Sequence, residues 1–467
     1  MSSISENNKR IAKNTMVLYV RMFVMMFIGF FTARITLNAL GVDDYGINNV
    51  VGGLVSMFSL LSSSLTSASS RFITFALGKG DFEEQKRTFA TTVNIHIILA
   101  IVVVLAIETV GVWFLNHKLN IPADRMVAAH WVLQCSVVSF ALGLLSVPYN
   151  SSIIAHERMS AFAYLTIFDA VCKLIVVASI YYYGGDKLIL FSVLSLLPLV
   201  IRQGIYVWYC KRNFEECVYE FRWDKKIFRE MFAFSGWNFI GCTAGLMRDQ
   251  GVNIVINMFT SPAVNAARGI AMHLNGLIGQ FTGNFMVSLN PQITKYYAVG
   301  DLTHMHKLIY YGTRFSYYLF MFISIPVIFE IESILTVWLG EVPVHTVLFT
   351  RLVLVLSLID IFSQILITAQ NATGNIRNYQ LVVGGLYLLN LPFSYLLLKM
   401  GMIPEMTLVV AIVIAIVCMI ARLCFLRYSI KLRVFDYVLK VVLNGLLVTA
   451  ISLVAPWLCY HHIVAPL

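Results

Sequence analysis

Charge is scarce in this sequence. Asp, Glu, Lys and Arg make up 12% of 467 residues, about half the quarter usual in soluble proteins. Apolar residues reach 59%, more than a soluble core could hide, so the solvent must be lipid. That excludes a cytosolic enzyme, a secreted disulfide scaffold and a disordered tail protein. The eight cysteines follow no metal-ligand spacing, and Cys135, Cys172, Cys242 and Cys418 lie in apolar stretches where a thiol acts as a small hydrophobe. There is no Walker loop, no Gly-x-Ser-x-Gly elbow and no His-Glu-x-x-His pair. His461-His462 and His304-x-His306 are isolated pairs, weak as metal ligands without convergent partners. Neither a cofactor nor a nucleic-acid partner is expected.

What is present is a series of apolar runs about 20 residues long. Thirteen lie near 14–40, 46–72, 88–116, 126–155, 161–183, 188–209, 229–258, 263–290, 308–335, 347–371, 380–400, 405–428 and 440–460. They are too long and aliphatic for barrel strands, so the reading is an all-α polytopic membrane protein. The first run carries Arg21 and Arg34 and lacks a small-residue cleavage site, so it is not a signal peptide. With the N-terminus in the cytoplasm, 21 of the 34 cations fall on that side and 4 on the other. The excess of +10 thus reflects topology. Nine cations remain within spans. The chain ends at Ala465-Pro466-Leu467 without a basic tail, leaving a fourteenth helix or an early end open.

A repeat runs through the chain. Ile73-Thr74, Gly80-Asp81 and Arg87 reappear as Ile293-Thr294, Gly300-Asp301 and Lys307. Each pair falls just after the second helix of a six-helix half. Ala155-His156-Glu157-Arg158-Met159 and Thr373-Gly374-Asn375-Ile376-Arg377 form a weaker echo. Duplication of an even number of spans predicts parallel halves related by a pseudo-two-fold axis along the membrane normal. The expected divisions are 1–226 and 227–430, six helices each, with an additional helix in 431–467.

The junction Leu40-Gly41-Val42-Asp43-Asp44-Tyr45-Gly46-Ile47 resembles the Leu-Gly-x-x-x-Tyr-Gly junction of bacterial polysaccharide transporters. Arg71-Phe72-Ile73 before Gly80, and the turn at Ala155–Met159, are also similar to that group, which belongs to the multidrug/oligosaccharidyl-lipid/polysaccharide exporter superfamily. The resemblance covers most of the chain and is strongest in the first 170 residues. It implies a fold like that of the superfamily's multidrug extruders (MATE), with two lobes around a central cavity. It also implies residence in the bacterial inner membrane. Family members have twelve or fourteen spans, so thirteen departs from both.

A charge inside a span costs several kcal/mol unless it faces a cavity, a partner or an interface. Arg351 and Arg422 lie near span ends and are read as snorkelling. Arg314 and Arg202 lie within two turns of the cytoplasmic face. Lys173 follows Asp169 by one turn and is read as paired with it. Arg21, Arg34, Arg248 and Arg268 are the candidate cavity cations, suited to a diphosphate because guanidinium stays charged and binds in bidentate fashion. The alternative for each is a tie to Asp249 or Glu108. Asp249 and Asp360 are the candidate ion-coupling acids, for a proton or sodium ion; their alternative is a counter-ion role. The serine-rich second span reads as close helix packing.

The resemblance and the cations together imply a flippase. It would carry a polyprenyl-diphosphate-linked oligosaccharide from the cytoplasmic to the periplasmic leaflet by alternating access, for O-antigen or capsule biosynthesis. Two alternatives stand beside it. A cation-coupled multidrug extruder would be expected to have an acid in its first helices, and spans one and two contain none. A membrane-embedded polymerase or glycosyltransferase would need a large external loop, and none is present.

Overall fold

Apolar runs of this length bond their own backbone groups in lipid only by coiling. The computed structural model describes residues 2–459 apart from Asn120 and Tyr182, with side chains from Lys9 to Val454 except at 30, 33, 34, 37, 42 and 262. Helix occupies all thirteen expected positions, and no strand occurs among the described residues. The helices are numbered here by those thirteen stretches.

Among the described residues, ten helices are by length and composition apolar enough to cross a membrane, and a bent pair makes an eleventh. The seventh helix, 225–259, and the eighth, Pro262–Ala298, are not among them. Their polar residues explain the shortfall: Asn238 in the seventh and Arg268, Asn284 and Gln292 in the eighth are buried, so both helices turn polar groups inward.

Contacts divide the chain into Met1–Ser235 and Gly236–Leu467, parting within the seventh helix. In the first unit, Ser2–Ser56 is one helix broken at Gly41, whose φ of 80° and ψ of 171° leave the helical region. Such angles are open almost only to glycine. A second bend of 50° separates Asp43–Ser56 from Ser59–Lys79. The fourth helix, Ala123–Ala155, packs against the first, second, third and sixth. Leu133 and Val137 join Val51, Val55 and Ile107 in an apolar core.

Each end of this unit is tied by polar contacts. At one end, Arg125 makes a two-pronged contact with Asp44 (2.9 and 2.5 Å) and reaches Asp186 at 2.8 Å. One guanidinium thereby clasps the 1–2, 3–4 and 5–6 junctions. At the other, Arg10 pairs with Glu157 at 3.3 Å and Asn14 donates to the Glu157 carbonyl at 3.2 Å. Arg222 pairs with Glu83 at 2.9 Å. Glu157 itself has φ 59°, so the Ala155–Met159 motif is a left-handed turn holding the N-terminal helix.

In the second unit, Thr346–Thr373 is the central helix, largely buried along its length. The thirteenth helix is held to it and to the ninth: Tyr437 donates to the Phe362 carbonyl at 2.5 Å, and Tyr317 of the ninth helix, Leu302–Phe329, bonds Thr449 at 2.7 Å. The repeated Gly-Asp turn is built twice in the same way. Gly80 and Gly300 have φ 76° and 78°. Asp81 then accepts from the backbone N–H of Glu83 and Glu84, and Asp301 from that of His304. A left-handed glycine ends one helix and an aspartate caps the next.

Candidate functional site

The seventh helix changes pitch at Met247–Gly251, a single π-turn that carries Arg248 and Asp249. Such turns in an α-helix often mark functional positions. Arg248 Nε donates to Asp249 at 2.9 Å and its Nη1 to Asp360 at 3.2 Å. Its guanidinium lies 4.8 Å from the centre of the Tyr387 ring, and Asn390 donates to its backbone carbonyl at 3.2 Å. One cation therefore binds both candidate acids. In a desolvated setting a guanidinium held by two carboxylates and an aromatic face is well compensated.

Arg268 joins the cluster from the eighth helix. It is 3% exposed, and its Nη1 donates to the Asp249 carbonyl at 3.0 Å and to the side chain of Asn253. Arg422 was missed by sequence reasoning. It does not snorkel: it is 1% exposed, donating to Tyr379 at 3.2 Å and to Tyr387 at 2.5 Å. A signal was available, because Arg427, one turn and a residue further on, is the better placed of the two to reach the helix end. Three guanidiniums and two carboxylates, one net positive charge, thus lie within the second unit. Arg248, Asp249 and Asp360 line a cavity of about 340 Å³, with Asn275, Ser357 and Gln364 among its other walls.

In the first unit the Arg21 guanidinium lies 4.6 Å from the centre of the Phe162 ring. Arg34 is in the same helix, and its side chain lies outside the described residues. The structure brings Arg248, Arg268, Asp249 and Asp360 together and gives Glu108 to Gln134 instead, at 3.0 Å. The expected Asp169–Lys173 pair does not form. Asp169 bonds Arg202 at 2.5 Å, because a guanidinium from the sixth helix reaches the carboxylate across the helix contact. Arg351 lies at a span end, exposed, and donates to the Ile328 carbonyl at 3.2 Å. Ser64 and Ser69 of the second helix are buried, Ser64 donating to the Ser235 carbonyl at 2.6 Å. His304 bonds Asp301 and His306 the Ile430 carbonyl, so the two have separate structural partners.

This fold is that of the MATE transporters. A MATE crystal structure in the straight conformation aligns at TM-score 0.79 and 11% identity, covering 91% of this chain and 96% of that one. A mutant of the Vibrio cholerae MATE transporter VcmN gives 0.75 at 16%, covering 92% and 99%. A Pyrococcus furiosus transporter of the same superfamily, described as having a binding pocket of reverse polarity that suggests a different function, gives 0.74 at 10%, covering 90% and 96%. The chain belongs to the family of polysaccharide biosynthesis proteins, whose model matches residues 11–332. The uncharacterized membrane protein EpsK of Bacillus subtilis (strain 168) is 19% identical over 323 residues, 68% of this chain. The match spans 62% of that relative's length. The protein is thus a multi-pass membrane protein of the polysaccharide biosynthesis family with the MATE fold.

Proposed function

We propose that this protein is a flippase of the bacterial inner membrane. It moves a polyprenyl-diphosphate-linked oligosaccharide from the cytoplasmic to the periplasmic leaflet by alternating access, for surface polysaccharide biosynthesis. One observation carries the reading: the cavity cation Arg248 belongs to a buried cluster with one positive charge in excess. A diphosphate brings about two negative charges into a region of low dielectric, where desolvation without waiting cations would stop it. Arg248 makes the direct contact, and Arg268 holds the π-turn that presents it.

The two aspartates address release. With the cavity empty they occupy Arg248, and an entering diphosphate competes with them for it. Recapture of Arg248 by the two carboxylates displaces the diphosphate, which makes Asp249 and Asp360 the acids that couple release to a proton or sodium ion. Deleting the gene tests the reading. A lipid-linked glycan should accumulate on the cytoplasmic leaflet, and Arg248→Ala should fail to clear it although the variant reaches the membrane. Loss of cationic dye efflux with normal glycan export would establish a drug extruder instead.

A further inference from the structure

The first unit holds a cavity of about 500 Å³ with a mixed lining, in which Thr32, Thr36, Asn48, Asn49, Thr166 and Lys173 are polar walls beside Met25, Ile28 and Phe191. The threonine hydroxyls donate to their own helices: Thr32 to the Ile28 carbonyl at 2.8 Å, Thr36 to that of Thr32 at 2.7 Å, Thr166 to that of Ala163 at 2.9 Å. Each therefore offers only acceptor lone pairs to the cavity. The Asn48 and Asn49 amides make no side-chain hydrogen bond among the described residues, leaving both donors and acceptors available. Alternating acceptors and amides suit the hydroxyls of a sugar.

The charge at this cavity is set by a partner exchange. Asp169 is also a wall residue, but its carboxylate is bound to Arg202 at 2.5 Å. Lys173, in the same helix Met159–Tyr181, is exposed and has no carboxylate within ion-pair distance among the described residues. An ammonium at that depth in a span costs about 2.5–3.5 kcal/mol on insertion scales, and an intramembrane cation without a partner points to a ligand. A single ammonium balances one negative charge. It gives neither the two charges nor the planar fork that a diphosphate calls for.

We infer that this cavity takes a carboxylate-bearing sugar of the transported glycan, with Lys173 as its counter-ion and the threonine and asparagine side chains reading its hydroxyls. The inference rests on the flippase reading and narrows its substrate to acidic glycans.

The test uses the purified full chain in lipid nanodiscs and three probes: trigalacturonate, the neutral maltotriose, and farnesyl diphosphate. Trigalacturonate should bind wild type more tightly than maltotriose does. Lys173→Met should weaken that binding roughly tenfold or more, the loss of one charge-assisted hydrogen bond, while leaving farnesyl diphosphate binding unchanged. Lys173→Arg should keep trigalacturonate binding within a few-fold, which guards against a loss caused by misfolding. Equal binding of the two trisaccharides, or unchanged trigalacturonate binding in Lys173→Met, would overturn the inference. Farnesyl diphosphate bound without trigalacturonate overturns the acidic sugar site alone. Failure of wild type to bind farnesyl diphosphate overturns the flippase reading with it.

Discussion

Arg248 is asked to be both a structural tie and a substrate ligand, and substitution separates the two roles. Arg248→Ala strands the Asp360 carboxylate, 17% exposed and 3.2 Å from the missing guanidinium. Breaking a buried pair on one side costs about 3–5 kcal/mol, so the purified variant should melt well below wild type. Adding Asp360→Asn removes the stranded charge and should restore most of that stability without restoring glycan export. Export at the wild-type rate in the double variant would reduce Arg248 to a tie. A second residue-scale prediction concerns Glu216, outside the spans. Burial pushes its carboxyl up, but the hydrogen bond from His156 at 2.5 Å, a bond from its own backbone N–H and the attraction of His156 together outweigh this and hold it below the ordinary 4.5. A carboxyl depressed in the folded state adds stability above its unfolded value and loses it as pH falls through the folded one. Thermal melting should therefore steepen its decline below about pH 4.5, and Glu216→Gln should flatten that acid limb.

At the scale of elements, Gly41 separates the first two spans by backbone conformation alone. A Cβ built there meets no atom within 4 Å, so any cost of Gly41→Ala comes from holding φ at 80° and ψ at 171°. That strain is about 1–3 kcal/mol. Gly46, five residues on, also has open space around its Cβ but lies inside the helix. Gly46→Ala should be neutral or stabilising by about 0.5–1 kcal/mol. Melting curves of the two variants compare hinge with helix directly, and equal stability would mean that Gly41 carries no strain requirement. The Arg125 clasp on Asp44 lies three residues beyond this hinge, so junction and clasp act as one device.

For the whole molecule, the expected outcome is a cytoplasmic N-terminus with the basic 211–226 stretch on the same side. Asn213→Cys should resist a membrane-impermeant thiol reagent in intact cells and react after permeabilisation. Labelling in intact cells would invert the topology and with it the proposed direction of transport. Within the first unit, Arg10 and Asn14 tie the N-terminal helix to Glu157 of the 4–5 connection, His156–Glu216 ties that connection to the 6–7 stretch, and Arg222–Glu83 ties the 6–7 stretch to the 2–3 connection. Those segments must share a side, whichever side it is.

The sequence by itself determined the class of protein, because hydropathy over 20 residues acts on each helix separately and lipid leaves the backbone one local solution. It also located the Gly80-Asp81 and Gly300-Asp301 turns, where a left-handed glycine and a capping aspartate work within a few residues of each other. The arginines of the second unit and both deep acids were legible as charges out of place. Their partners were not, because partnership in a bundle joins residues far apart in the chain. Asp169 lies four residues from Lys173 yet bonds Arg202, 33 positions away. Arg422 stands near a helix end, where snorkelling is the local expectation, yet Tyr379 and Tyr387 hold it inside. The seventh and eighth helices are the clearest case. Their hydropathy falls short of a span, and the bonds of Arg248 to Asp360 and of Arg268 to Asp249 and Asn253 let such polar segments lie among apolar ones.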